Sequence, residues 1–191
     1  MSWYKLFISF LFIVIIGLFS CKKVKLDPEN IFVKIYEDSN SDLSYYPIDI
    51  IQLPDNGYFI LGESALDTTH TWTNPVIIKT DNEGELEWKA NIDLPYVNPV
   101  SNLMELGGSY YFFCMDELSL GTHVLSIDGQ NQSAKLVTSF INVTYPLAVS
   151  KTPDNGFLLL SYNRFTRQSV VSKINTAFNI AQSIFSRCSI N

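Results

Sequence analysis

Leu53-Pro54-Asp55-Asn56-Gly57-Tyr58-Phe59-Ile60-Leu61 returns as Thr152-Pro153-Asp154-Asn155-Gly156-Phe157-Leu158-Leu159-Leu160. A degenerate copy, Glu105-Leu106-Gly107-Gly108-Ser109-Tyr110-Tyr111-Phe112-Phe113, lies between them, and Gly57, Gly108 and Gly156 are spaced by 51 and 48 residues. A second series keeps the same phase. Val76-Ile77-Ile78-Lys79-Thr80-Asp81, His123-Val124-Leu125-Ser126-Ile127-Asp128 and Val170-Val171-Ser172-Lys173-Ile174-Asn175 align at steps of 47 and 47. Two independent series with one period define three structural repeats, the middle one eroded.

Within the first repeat, Ile48 to Leu53 reads as a strand that ends in a Pro-Asp-Asn-Gly turn, where Gly57 is expected to supply the positive φ. Tyr58 to Leu61 is a continuous apolar run, predicting a strand buried on both faces. Asn74 to Thr80 follows, closed by Asp81-Asn82-Glu83-Gly84. Leu86 to Ile92 completes the set, with Leu86, Trp88, Ala90 and Ile92 alternating onto one face. The second repeat yields Asn98 to Leu106, Tyr110 to Met115, Thr122 to Ile127 and Ala134 to Ile141. The third yields Tyr145 to Thr152, Phe157 to Tyr162, Ser169 to Asn175 and Ile180 to Phe185. Ile31 to Tyr36 predicts an extra leading strand, and no amphipathic helix is evident after the N-terminal segment.

The predicted fold class is therefore all-β: antiparallel four-stranded blade-like repeats at about 47–92, 98–141 and 145–186, within a domain of residues 31–191. Asp55-Asn56-Gly57-Tyr58 and Lys79-Thr80-Asp81-Asn82-Glu83-Gly84-Glu85-Leu86-Glu87-Trp88 resemble the repeats of secreted Bacteroidetes propeller-like lipoproteins. They also faintly resemble quinoprotein-type blades, in which an Asp, a Gly and a Trp stitch neighbouring blades. Only the first repeat keeps the tryptophan. Closed propellers need about four blades or more, and stacked repeats cannot bury their own end faces. The expectation is a partial, about three-bladed propeller, with a homodimer that completes a ring, or sheets folding in on each other, as the other ways to cover the ends.

The N-terminus predicts an address. Lys5 forms a basic start, Leu6 to Phe19 an apolar run of 14 residues, and Ser20 a small residue before Cys21. The run falls short of the roughly 20 residues needed for a permanent spanning helix. Leu18-Phe19-Ser20-Cys21 resembles the bacterial lipobox, with Phe19 larger than that position usually holds. The resemblance implies cleavage after residue 20, lipidation of Cys21 with acyl chains such as palmitate, and a charged tether over residues 21–30. The expected localisation is the cell envelope, most simply the outer membrane. Lys22 and Lys23 leave the facing leaflet open.

Composition bounds the partners. The chain carries net charge −6; residues 1–20 hold only Lys5, so the remainder has 12 basic against 19 acidic residues. Such a balance disfavours nucleic acid. Cys114 and Cys188 are expected either to pair or to remain buried thiols. His70 and His123 lack metal-ligand spacing, and Asp81-Asn82-Glu83-Gly84 and Asp128-Gly129 read as turns rather than calcium loops. No metal or cofactor is implied. No Gly-x-Ser-x-Gly nucleophile occurs, and Asp116-Glu117 is one short candidate for a carboxylate pair.

The loop Ser64–Asn74 carries Trp72 and His70 among hydroxyls, a composition suited to stacking on a sugar or peptide. Its Asp67-Thr68-Thr69 weakly matches a Bacteroidetes-type O-glycosylation pattern. The functional expectation is a lipid-anchored, non-enzymatic scaffold binding a protein or glycan partner. The alternatives are a lipid-anchored hydrolase or accessory subunit using carboxylates on one propeller face, and a shortened relative with no independent activity.

Overall fold

Among the described residues, twelve strands follow one another in chain order and sort into three four-stranded antiparallel sheets. The computed structural model describes Tyr36 and residues 44–65, 71–93 and 95–186, all within the unit Tyr36–Asn191. The first sheet is β1 (Ser44–Gln52), β2 (Tyr58–Ala65), β3 (Asn74–Thr80) and β4 (Leu86–Asn91). The middle sheet is β5 (Tyr96–Leu106), β6 (Ser109–Asp116), β7 (Gly121–Asp128) and β8 (Ser133–Thr144). The third is β9 (Pro146–Lys151), β10 (Phe157–Asn163), β11 (Gln168–Ile174) and β12 (Ile180–Ser186). Strand order within each sheet is the chain order, so every sheet is a meander of one repeat.

The sheets approach one another mainly through their first strands, β1 beside β5 and β5 beside β9. That is the packing of propeller blades around an axis, and the molecule is a partial, three-bladed β-propeller. Polar bonds join the inner strands. Strand β5 leaves regular pairing between Val100 and Met104, and the Leu103 N–H donates instead to Asp49 Oδ2 on β1 at 2.6 Å. Asn102 Nδ2 donates to the Val149 carbonyl on β9 at 2.7 Å. Trp88, the expected stitching residue, packs on Phe59 with ring centroids 5.7 Å apart.

Strand alternation decides the core. On β6, Phe112 and Cys114 join Phe59, Leu61 and Ile77 of the first sheet in one apolar cluster. Their neighbour Phe113 faces the other way, into a cluster with Phe157, Leu159 and Ile174 of the third sheet. The middle sheet is thus buried on both faces, although its turn motif is the most eroded. The apolar run Tyr58–Leu61 is only half as buried as the sequence suggests: Phe59 and Leu61 are buried, Tyr58 and Ile60 half-buried. On β4 the expected face is broken by a bulge. Lys79 pairs with Trp88 but Thr80 with Leu86, which leaves Leu86 50% exposed while Trp88, Ala90 and Ile92 join the core.

The turn glycines work differently from expectation. The positive φ belongs to Asn56 (65°) and Asn155 (60°), not to the following glycines. Gly57 and Gly156 are required by close approach: a Cβ there would collide with the backbone carbonyl of Thr80 or Ile174. In the middle repeat, Gly107 (φ 61°) and Gly108 (φ 79°) have open space around them. They form a two-residue turn between the paired Leu106 and Ser109, the hairpin geometry that demands left-handed backbone at both positions. Of the leading strand Ile31–Tyr36, only Tyr36 lies among the described residues; its hydroxyl donates to the Gly84 carbonyl at 2.8 Å.

Truncating Phe112 or Phe113 to alanine should each cost about 3–5 kcal/mol, because the two rings fill opposite interfaces. Leu136→Ala, at a 49% exposed position on β8, should cost well under about 1 kcal/mol. Urea unfolding of the three variants measures this.

Candidate functional site

Antiparallel meanders send alternate connections to opposite ends of the sheets. One end collects the β2–β3 loop, the β8–β9 junction and the β10–β11 turn. They bring together Trp72, Tyr145, Arg164 and Arg167. Trp72, half-buried, lies with its ring centroid 6.2 Å from that of Tyr145, inclined at 59°. Tyr145 is the single residue joining β8 to β9, with φ 49°. A non-glycine residue there costs about 1–2 kcal/mol, and neighbouring elements hold it in place. Its N–H donates to the Leu120 carbonyl at 3.0 Å, and its carbonyl accepts the Tyr162 N–H at 3.1 Å. Arg164 Nη1 donates to the Tyr145 hydroxyl at 3.1 Å.

Tyr145, Tyr162, Arg164 and Arg167 line a recess of about 450 Å³. These are two of the chain's 3 arginines, and among the described residues neither pairs with a carboxylate. A guanidinium held on a phenol hydroxyl beside aromatic faces can bind an anionic group in a planar fork while a ring stacks nearby. Trp72 was legible in the sequence. The others were not singled out, although Arg164-Phe165-Thr166-Arg167 concentrates scarce positive charge in one hairpin turn. His70, Cys21, Cys188 and Asp67-Thr68-Thr69 lie outside the described residues.

The opposite end holds an open cleft of about 770 Å³ between the first two sheets, lined among others by Asp55, Phe59, Tyr110, Asp128 and Lys135. Its carboxylates are already engaged. Asp55 pairs with Lys79 at 3.1 Å, and Asp128 with Lys135 and with Asn131 Nδ2. Those partners hold both carboxyls below the usual range. Burial alone would lower the Lys79 ammonium, but Glu87 and Asp55 outweigh it and raise its pKa. The third repeat rebuilds the pair as Asp154–Lys173 at 2.6 Å, chiefly through Lys173 lowering Asp154 to about 2. In the middle repeat Ser126 stands at the lysine position and Gly107-Gly108 replaces the acidic turn, so both partners are lost together.

The turns expected to bind no calcium use their side chains on backbone. Asp81 Oδ1 accepts the N–H groups of Glu83 and Glu85 at 2.9 and 2.8 Å. Asn175 Oδ1, in the same slot, accepts those of Ala177 and Asn179 at 3.0 and 2.9 Å. A neutral amide serves as well as a carboxylate there. Among the described residues, no group of three or more His, Cys, Asp or Glu side chains is placed to hold a metal.

His123 lies within β7, directly opposite Cys114. Its Nδ1 is 2.8 Å from Ser139 Oγ. Its Nε2 is 3.7 Å from Asp116 Oδ2 and, although buried, has no hydrogen-bond partner. Tyr96 packs edge-on at 5.5 Å. Burial lowers the imidazole pKa against the opposing pull of Asp116. Cys114 is a free buried thiol whose pKa burial drives strongly upward. Burial alone would raise Asp116, but the N–H groups of Ser119 and Leu118 bring it below its usual value. Its neighbour Glu117 lies in an exposed turn.

No protein-family model and no curated protein matches the chain. Among solved structures it is similar to the β-propeller domain of the Trilobed protease from Pyrococcus furiosus, at 11% identity and a TM-score of 0.46. The match covers 76% of this chain and 44% of that one, so the chain spans less than half the length of that structure.

A depressed folded-state pKa gives His123 a stability contribution present above its unfolded value, about 6.5, and lost as pH falls toward the folded value. The urea midpoint of the parent chain should therefore drop between about pH 7.5 and about pH 5.5. His123→Val installs the residue found at the equivalent positions Val76 and Val170, and it should flatten that drop.

Proposed function

We propose that this chain is a lipid-anchored protein of the cell envelope whose partial propeller is a non-enzymatic scaffold that binds a glycan carrying negative charge. The single observation that carries the ligand class is the recess in which Arg164 is bonded to Tyr145, with Trp72 against the same ring. A pyranose offers a flat C–H face for an aromatic ring and, when it bears a carboxylate, an acceptor for a guanidinium. Of the two partner classes, glycan and protein, that combination favours the glycan. The anchor rests on Leu18-Phe19-Ser20-Cys21, with the outer membrane as the simplest destination.

The hydrolase alternative draws less support. A general acid for glycoside cleavage needs a raised pKa, whereas Asp55, Asp116, Asp128 and Asp154 are all lowered. A shortened relative without activity would show no ligand at all.

Titration calorimetry with a uronate-containing oligosaccharide, against a neutral one of the same length, tests the reading. Binding should be selective for the acidic sugar. Trp72→Ala and Arg164→Ala should each weaken it by about tenfold or more, the effect of about 1.4 kcal/mol. Equal affinity for both sugars, or indifference to both substitutions, would refute it. Separately, Cys21→Ser should abolish metabolic labelling with palmitate and release the protein from the membrane fraction.

A further inference from the structure

The first and third repeats carry the same four residues in the turn after their first strand, Pro54-Asp55-Asn56-Gly57 and Pro153-Asp154-Asn155-Gly156. The two turns share a backbone. Asn56 and Asn155 both hold a left-handed φ, 65° and 60°. The Asn56 N–H donates to the Leu53 carbonyl at 2.9 Å, and the Asn155 N–H to the Thr152 carbonyl at 2.9 Å. Both asparagines are exposed and both glycines buried. Each aspartate pairs through Oδ2 with the lysine of its third strand, Asp55 with Lys79 and Asp154 with Lys173. The other carboxylate oxygen separates the turns. Asp55 Oδ1 accepts the Gly57 N–H at 2.9 Å, the two-residue reach of an Asx turn. Asp154 Oδ1 accepts the Thr152 hydroxyl instead, and among the described residues the Gly156 N–H is bonded to no carboxylate. A Cβ on Gly57 would lie 3.1 Å from Asp55 Oδ1, and one on Gly156 3.2 Å from Thr152 Oγ1. The hydroxyl thus stands where the first repeat places its carboxylate oxygen, and Leu53 has no hydroxyl to offer.

We infer that Asn155 is a site of spontaneous deamidation in the folded chain, and that Asn56, in the same local sequence, is protected from it. The Gly156 backbone nitrogen gives its proton to solvent hydroxide and attacks Cγ of Asn155. A cyclic imide closes as the new N–Cγ bond forms and the Cγ–Nδ2 bond breaks. The departing nitrogen takes a proton from water and leaves as ammonia. Water then opens the imide at either carbonyl, giving aspartate or its isoaspartyl isomer, with nothing oxidised or reduced. Glycine suits the attack because it has no side chain to crowd the ring. The nitrogen must react as an anion, and here the two turns part. At Gly57 a charge-assisted bond to Asp55 holds the proton in place, and that carboxylate opposes negative charge on the nitrogen it touches. At Gly156 the proton is not held in this way. The reaction adds a negative charge beside the Asp154–Lys173 pair. The isoaspartyl product also lengthens the backbone of a turn in which Gly156 passes close to the Ile174 carbonyl. The third sheet therefore carries a covalent change that grows with the age of the chain, and the matching turn of the first sheet resists it.

The purified full chain, held folded at mildly alkaline pH and sampled by peptide mass spectrometry, should accumulate the amide-to-acid change at Asn155 several-fold faster than at Asn56. In urea the two rates should converge, because Pro-Asp-Asn-Gly is common to both sites. Asp55→Ala should raise the folded-state rate at Asn56 toward that of Asn155. Thr152→Leu installs the first repeat's residue and releases Asp154 Oδ1, so it should slow Asn155. Melting curves of both variants establish that the rates are read on folded chains. The inference is overturned if Asn155 reacts no faster than Asn56 in the folded chain, or if the difference persists in urea. It is also overturned if Asp55→Ala leaves the rate at Asn56 unchanged, or if Thr152→Leu leaves that at Asn155 unchanged.

Discussion

Two adjacent rings pointing in opposite directions hold this molecule together. Phe112 and Phe113 follow one another on β6, and the period of two in a strand sends one into each inter-sheet cluster. Each sheet is a meander with one apolar side to hide and, apart from its neighbours, little else to hide it against. The middle sheet satisfies both neighbours at once, and its β6 and β7 carry buried runs of four and five residues, although the six-residue run Pro75–Thr80 on β3 of the first sheet is longer. The polar bonds between inner strands, Asp49 to Leu103 and Asn102 to Val149, set the register of that stack rather than its strength.

The division of labour explains the erosion of the middle repeat. The end repeats keep an acidic turn tied to a lysine on the third strand, Asp55–Lys79 and Asp154–Lys173. The central one dispenses with both and closes its hairpin with two left-handed glycines. A sheet packed on both faces has enough apolar burial to fix its turns. The two outer sheets carry the ion pair in addition, although exposed pairs of this kind contribute little individually.

Much of this was legible in the chain itself. The repeat spacing, the twelve strands and the four-stranded units follow from the turn motif and apolar alternation, because both are local properties of strands and hairpins. What the residues do not reveal locally is where strands meet other sheets. His123 falls in the strand Thr122 to Ile127 by pattern, but nothing local shows that it is buried opposite Cys114. Gly57 reads as a source of positive φ and is needed for the passing carbonyl of Thr80. Trp72 stands out in its loop, but its ring contact with Tyr145 does not; Tyr145, Tyr162 and Arg164 meet through the pairing of β9 with β10, where the Tyr162 N–H reaches the Tyr145 carbonyl. Neither the anchor segment nor His70 lies among the described residues, so those readings rest on sequence.

Hydrogen exchange followed residue by residue tests the double-sided packing of the middle sheet most directly. Amides of β6 and β7 should exchange slowest in the molecule, with β12 among the fastest. If β10 and β11 of the third sheet were protected as well as or better than β6 and β7, the middle sheet would not be the element on which the others depend.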